Sequence, residues 1–443
     1  MTNAASVPSR ATKLLYIIFF AGLILQLFLF FRAWLSNDQV ILLQVGLDYA
    51  GSHHWPAVAK GMSGAGHVPG SLLALLIGLP LEIFPHFKAP NIVVFLFHVI
   101  AVLLLINVLS KSIGLKFTVI FLGLYWLSPW RLYHAGFLWE PSFLYLPAAV
   151  HLWACWRLKD RRTFGPSLVL GLILIATFQI HASFVILLVL TLMLIARRLV
   201  KLNWLGLACG CVIGGITLVP TIMALVEGTL PSIPPQDGFP GRGLVYVFPL
   251  LKSLLYWVRF ISLDAGGIIK STVFFKSAWT SLGPTHEFWG FTVKSLYAIA
   301  VASVVFCGAA ALLYLKKAWA ERAAAGKQAE QWIGQYVLMA LLAMFVSAGL
   351  SPVTVQGWHV ILILPAACIS GAYWMYRKMD SGKNIYRWII IAVIVLRVPL
   401  AVAIGYGHPR YRVTPLTESI SPELVTEELL EILPGAQTTA SDE

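Results

Sequence analysis

Long apolar runs separated by short polar segments set the pattern of this chain. A run of about 20 apolar residues can cross the hydrocarbon core of a bilayer as a helix. Such runs, several of them shorter, lie at 14–35, 91–109, 117–130, 141–156, 166–196, 204–226, 291–315, 333–350, 358–376 and 388–404. If 166–196 crosses twice, the pattern predicts an all-α polytopic membrane protein with about eleven transmembrane helices.

The positions of Lys and Arg decide how two ambiguous runs are placed. These residues accumulate in cytoplasmic loops, so the basic clusters at 157–162, 197–201, 316–327 and 377–387 are assigned to the cytoplasm. The run 166–196 lies between two such clusters and must cross an even number of times. We therefore predict two short helices with a polar break at 179–183.

The run 71–84 is short and contains Gly78, Pro80 and Glu82. If it crossed the membrane, the number of crossings between the outer loop at 36 and the basic cluster at 157–162 would be even. That cluster would then lie on the outer side, against the preference of Lys and Arg for cytoplasmic loops. We predict an interfacial or re-entrant helix on the outer face instead.

The same assignment divides the chain into a membrane domain and a tail. The domain is 1–404, with outer loops at 36–90 and 227–290, and the acidic tail is 405–443 on the outer side. The aromatic and basic stretch 246–263 predicts a helix lying on the membrane, and 422–433 predicts a short helix.

Composition and charge support this assignment. Hydrophobic residues make up 59% of the chain and charged residues 12%, whereas soluble domains are near half apolar and a quarter charged. These values exclude a soluble enzyme, a disordered chain and a nucleic-acid-binding protein. The formal net charge of +13 is mostly a topology signal, because Lys and Arg concentrate on the predicted cytoplasmic side.

Three acids on the outer side are candidates for chemistry. Asp38 directly follows the first span, where it is either a charge at a helix end or a general base at the rim of a membrane cavity. Asp48 is the second candidate for the base. Glu140 begins an inward-running span in a turn that also contains Arg131 and His134. Such an acid is either functional or favoured by the helix dipole.

Basic residues and histidines could hold an anionic substrate at the same face. Lys60, Arg131 and Arg259 suit a phosphate, although contact with lipid headgroups is the simpler alternative for any one of them. His181 lies in the predicted break, and His359 lies at the outer end of a late span. We predict no cofactor and no obligatory divalent ion, and a divalent metal is the alternative.

In order and placement, these features resemble the GT-C superfamily of polyprenyl-phosphate-sugar glycosyltransferases. The similarity is to the branch with the aminoarabinose transferase and the protein O-mannosyltransferases. Asp38-Gln39 matches an Asp-Glu pair after the first span, with Gln in place of Glu. The segment Leu138-Trp139-Glu140-Pro141 matches a Leu-Asp-Pro turn, and 357–365 matches a late motif that lacks its Tyr here.

The resemblance implies sugar transfer from a polyprenyl phosphate to an acceptor hydroxyl at the outer face, with inversion. It also implies a bacterial inner membrane, with the active site facing the periplasm. Asp38 is then the base, Glu140 orients the sugar or the acceptor, and Arg131, Lys60, Arg259 and His359 hold the phosphate. The acceptor is a glycolipid such as lipid A, a polysaccharide or a protein. Two alternatives stay open: an O-antigen ligase or polymerase with a diphosphate-linked donor, and a lipid or sugar flippase.

Overall fold

The computed structural model describes residues 9–33, 37–62, 66–231, 247–266, 268, 286–324, 328–351, 353–379, 381 and 383–411. Within this part of the chain the protein is almost entirely helical, which confirms the predicted all-α polytopic architecture. The helix predicted at 422–433, and most of the outer loop 227–290, lie outside the described residues.

Helices occupy both halves of the chain and are numbered here in order. The first half contains α1 (Arg10–Arg32), α2 (Asn37–Ser52), α3 (Leu72–Ile83), α4 (Ala89–Ser112), α5 (Leu115–Tyr125), α6 (Pro129–His134), α7 (Glu140–Phe143), α8 (Tyr145–Arg157), α9 (Phe164–Phe178), α10 (Phe184–Ala196), α11 (Trp204–Gly215) and α12 (Val219–Glu227). The second half contains α13 (Val247–Ile261), α14 (His286–Ala320), α15 (Ala329–Gly349), α16 (Leu364–Met379), α17 (Asn384–Val395) and α18 (Arg397–Gly407). Short 3₁₀ turns lie at Ile216–Leu218, Glu321–Ala324, Gly357–Ile363 and Pro409–Tyr411.

Seven helical segments among the described residues are long and apolar enough to span a membrane. They are Arg10–Arg32, Ala89–Ser112, Trp204–Glu227, Gly290–Ala323, Ala329–Gly349, Gly357–Met379 and Asn384–Gly407. The remaining predicted crossings fall on α5, α7 with α8, α9 and α10, which are shorter. The total of about eleven crossings therefore stays a prediction.

The predicted break between two short helices is present. Helix α9 ends at Phe178 and α10 begins at Phe184. The Gln179 amide donates to the carbonyl of Gly214 at 2.8 Å, and its oxygen accepts from the Thr217 hydroxyl at 2.7 Å. Polar groups at membrane depth need such partners, because hydrocarbon offers none. Neighbouring protein thus stabilises the break.

Glycines let α11 pack closely against α9. Gly206, Gly210 and Gly214 repeat at four-residue spacing on one face of α11 and are buried. A Cβ at Gly210 would collide with the backbone carbonyl of Leu168. Small residues at this spacing allow the backbones of two membrane helices to approach.

The predicted outer loop 36–90 contains more regular structure than the sequence pattern indicates. This region contains α2 and an antiparallel hairpin of β1 (Val58–Met62) and β2 (Gly66–Pro69), in which Lys60 pairs with Val68. The hairpin is the one sheet among the described residues. Leu42, Leu43 and Leu47 are buried along one side of α2, a helical spacing that Gln44 and Gly46 interrupt.

The two helices predicted on the outer surface are also formed. Helix α3 has 12 residues, so its length of about 18 Å is too short to cross the bilayer core. Helix α13 has 15 residues and buries Tyr256, Trp257 and Phe260 on one face. Their positions relative to the membrane surface stay predictions.

Candidate active site

A cavity of about 480 Å³ lies where segments distant in sequence meet. Its walls come from β1, the start of α7, the break between α9 and α10, the end of α15 and the 3₁₀ turn Gly357–Ile363. Four of the residues selected from the sequence line it together: Lys60, Glu140, His181 and His359. No single span provides this site, because it depends on the hairpin and the short α7 reaching the ends of three longer helices.

An ion pair stands in the cavity wall. The Lys60 ammonium lies 2.8 Å from Glu140 Oε1, and the two side chains are 18% and 9% exposed. Glu140 occupies the first position of α7, followed by Pro141, where an acid faces free backbone N–H groups and Pro loses no hydrogen bond. A Lys ammonium has three donors, so Lys60 can bind an anionic ligand and keep this partner.

The two histidines are neighbours and are arranged alike. Their ring centroids are 6.0 Å apart. His181 Nδ1 accepts from the backbone N–H of Ser183 at 3.1 Å, and His359 Nδ1 accepts from that of Gln356 at 3.1 Å. In a neutral ring whose Nδ1 accepts, Nε2 carries the proton. Each ring therefore provides one N–H donor.

His181 stays neutral in the folded protein. The His181 ring lies beside His359 and lines the same cavity as Lys60, so a second positive charge here would be unfavourable. At neutral pH His181 can donate a hydrogen bond to a ligand but adds no positive charge. Among the described residues that line the cavity, Lys60 therefore carries the positive charge.

Two tryptophans form an aromatic wall of the cavity. Trp139 and Trp358 line it, with ring centroids 5.3 Å apart. Trp139 is held from behind, because His134 stacks on it at 5.6 Å and the Arg410 guanidinium lies 4.5 Å from its ring centroid. Neither tryptophan was selected from the sequence, although each directly precedes a residue that was. Adjacency to Glu140 and His359 was the available signal.

The structure places His134 and Arg131 beneath the cavity and not in its lining. His134 is 1% exposed, and its Nδ1 contacts the carbonyl of Trp130 at 2.8 Å. Arg131 is fully buried and donates to the Trp126 carbonyl at 2.8 Å and to Gln26 Oε1 at 2.7 Å. These contacts fix the turn that presents Glu140, so both residues act as supports in this arrangement.

Arg259 lies beside the site on α13. Its Nε is 2.9 Å from Asp264 Oδ2. One turn away, the Tyr256 hydroxyl donates to Gln356 Oε1 at 2.9 Å, in the segment that positions His359. Burial, together with the positive charge of Arg259, lowers the pKa of Lys252 on the same helix. Helix α13 thus packs next to the segment that carries His359 without lining the cavity.

The two candidate bases differ in what can be said of them. Asp38 lies in the first turn of α2, but its side chain is outside the described residues. The adjacent Gln39 is 1% exposed, and its Oε1 accepts from the backbone N–H of Leu138 at 3.2 Å. The start of α2 is therefore tied to the turn that carries Glu140.

Asp48 stands apart from the cavity lining. It lies on the exposed side of α2, where its Oδ1 accepts from Gln44 Nε2 at 2.7 Å. A base must reach the hydroxyl that it deprotonates, so this placement favours Asp38 over Asp48.

The described residues contain no group of three or more His, Cys, Asp or Glu side chains arranged to hold a metal ion. Independence from metals stays a prediction.

Comparisons with known proteins identify the fold. The chain is similar to ArnT from Cupriavidus metallidurans bound to undecaprenyl phosphate, with 12% identity and a TM-score of 0.50 over 94% of this chain and 77% of ArnT. The apo state of the same ArnT gives 13% identity and a TM-score of 0.50, over 95% and 78%. No family model and no curated protein matches the chain.

The likeness to ArnT extends over almost the whole chain, so the chain has an ArnT-like fold, in line with the predicted all-α membrane architecture. At 12–13% identity it establishes the fold alone. Together with the apolar helices, it makes the chain an integral membrane protein.

Proposed function

We propose that the protein is a membrane glycosyltransferase whose sugar donor is linked to a polyprenyl phosphate. The observation that carries the proposal is the cavity in which Lys60, Glu140, His181 and His359 meet within an ArnT-like fold. The structure of ArnT that contains undecaprenyl phosphate supports a lipid of this class as the donor carrier. The acceptor is a hydroxyl of a glycolipid, a polysaccharide or a protein at the outer face.

The reaction needs a base, a site for the leaving phosphate and a site for the sugar. Asp38 takes the proton of the acceptor hydroxyl, whose oxygen forms a bond to the anomeric carbon. The bond from that carbon to the phosphate oxygen breaks on the opposite side, so the configuration inverts. Charge developing on the departing phosphate is stabilised by Lys60 and by the N–H donors of His181 and His359.

The aromatic wall and Glu140 are suited to the sugar. Apolar faces of a sugar ring pack on aromatic side chains, and Trp139 and Trp358 offer such a surface. Glu140 accepts hydrogen bonds from sugar hydroxyls with the oxygen that does not face Lys60. Because a lipid phosphate is a competent leaving group, this scheme requires no metal ion.

Transfer by the purified full-length protein tests the proposal. Mass spectrometry of lipids and polysaccharides from cells that lack the gene identifies the sugar and the acceptor. Transfer is then measured in detergent with that sugar on undecaprenyl phosphate. We expect Asp38→Asn to abolish turnover and Asp48→Asn to retain it, with Glu227→Gln as an exposed control.

Three outcomes would contradict the proposal. Near-normal turnover of Asp38→Asn would show that Asp38 is not the general base. Transfer only from a diphosphate-linked donor favours a ligase or polymerase. Movement of lipid across vesicles without any sugar transfer in detergent favours a flippase.

A further inference from the structure

A second cavity, of about 320 Å³, lies at the other end of the helices that line the candidate active site. Its walls are the last turns of α14, the start of α15 and the last turns of α16. Helix α15 reaches this cavity with Glu330 and the first cavity with Ser347. At 1.5 Å per residue the two positions are about 25 Å apart, close to the thickness of the hydrocarbon core. The second cavity therefore opens at the opposite membrane surface, the predicted cytoplasmic one.

Part of its wall is a closed polar network. The Lys317 ammonium contacts Glu330 Oε1 at 2.7 Å, and the Tyr373 hydroxyl contacts both groups. The ammonium also lies 4.3 Å from the centroid of the Tyr373 ring. These three side chains satisfy one another and form a fixed polar surface.

Two further side chains at this cavity have hydrogen-bonding capacity to spare. Tyr314 is 3% exposed, and its hydroxyl has no hydrogen-bond partner among the described residues. A buried hydroxyl of this kind is unfavourable unless a ligand or water completes it. Arg377 also lines the cavity and forms no ion pair within the described part of the chain. Its guanidinium can bind two oxygens of one phosphate.

The approach to this cavity is apolar. On α14, Val305, Leu312 and Leu313 lie at spacings of seven and eight residues, are 78%, 67% and 48% exposed, and form a stripe that ends at the cavity. Leu313 belongs to both the stripe and the cavity lining. A ligand with a phosphate group and attached hydrocarbon chains would therefore bury both parts at once. A free phosphate would leave the stripe unused.

We propose that this cavity binds the phosphate of an anionic glycerophospholipid in the leaflet opposite the candidate active site. Arg377 and the Tyr314 hydroxyl bind the phosphate oxygens, and the acyl chains lie along Val305, Leu312 and Leu313. Lys317 adds positive charge while it stays bonded to Glu330. The proposal rests on the second cavity and is independent of the glycosyltransferase assignment.

Lipid titration of the purified, delipidated full-length chain, followed by native mass spectrometry, tests the site. Phosphatidylglycerol and phosphatidylcholine with identical acyl chains are the probes. We expect phosphatidylglycerol to bind at least tenfold more tightly. Arg377→Gln lowers that affinity about tenfold or more, because a charge-assisted contact is lost. Tyr314→Phe lowers it several-fold, and Arg162→Gln, at an exposed arginine outside the cavity, has no effect.

The results that overturn the proposal are distinct. Equal binding of the two lipids, or wild-type affinity in both cavity variants, would show that this cavity does not bind an anionic glycerophospholipid. Glycerol 1-phosphate that competes at the same concentration as the lipid identifies a site for soluble phosphate and refutes the lipid. If Arg377→Gln does not fold, as judged by size-exclusion chromatography, Tyr314→Phe decides, because it removes a single oxygen atom.

Discussion

The ion pair between Lys60 and Glu140 gives the sharpest test of the candidate active site. Lys60→Met keeps an unbranched side chain of similar length and removes the ammonium, so Glu140 loses the partner at 2.8 Å. A charge-assisted hydrogen bond contributes about 1.5–3 kcal/mol. The pair is mostly buried, at 18% and 9% exposure, so little of this is lost to solvent screening. We expect the free energy of unfolding to fall by about 1–3 kcal/mol.

The double variant Lys60→Met/Glu140→Gln separates stability from catalysis. Gln keeps the shape of Glu140 and carries no charge, so no carboxylate is left unpaired in the wall. Most of the lost stability should return. If Lys60 stabilises the departing phosphate, the transfer rate should stay about 10- to 150-fold below wild type, which corresponds to one charge-assisted contact.

Thermal unfolding and initial transfer rates, both in the same detergent, measure the two effects. The single variant Glu140→Gln is the matched control, because it breaks the pair and keeps Lys60. Wild-type transfer by the double variant would show that Lys60 only neutralises Glu140. The role of Lys60 in binding phosphate would then be refuted.

Two further predictions follow from other parts of the structure. Trp139→Ala should raise KM for the donor about tenfold or more, as expected for a lost aromatic contact, while Trp139→Phe should retain most of the affinity. Equal donor kinetics for the two variants would contradict packing of the sugar on Trp139. Gly210→Val should lower Tm by several degrees, because the valine side chain would collide with the Leu168 carbonyl. The control is Gly165→Val, at an exposed position of α9 where a Cβ meets nothing within 4 Å.

Most of the membrane architecture could be predicted from the sequence because run length and basic clusters are strong signals. The break between α9 and α10 followed from charge parity alone, and the structure supports it with the bonds of Gln179. Helix α2 was missed because its buried side is short and carries Gly46 between leucines. The hairpin was missed because its two strands have only nine residues, two of them glycine. Such short strands give no clear alternation of apolar and polar positions.

The members of the candidate site could be selected singly, but their grouping could not. Lys60, Glu140, His181 and His359 were chosen because each is an ionisable residue assigned to the outer side of the membrane. They lie far apart in sequence and meet only through tertiary packing. Local patterns report periodicity within one element and carry no information about which helix ends adjoin. The hairpin that delivers Lys60 is the step that no pattern in this chain predicts.

Two buried arginines show why counting positive charge did not indicate which basic residue lines the cavity. Arg131 donates to the carbonyl of Trp126, and Arg397 donates to that of Leu124, so both bond the C-terminal end of α5. Arg397 also donates to the carbonyls of Ile261 and Ser262 at the end of α13. The last carbonyls of a helix lack intrahelical partners, and a guanidinium with five donors can join several of them. Because every residue has a backbone carbonyl, the sequence does not indicate which arginine will bond the carbonyls at a helix end. Among the basic residues chosen for a phosphate, the structure uses Arg131 for such a junction and brings Lys60 to the cavity.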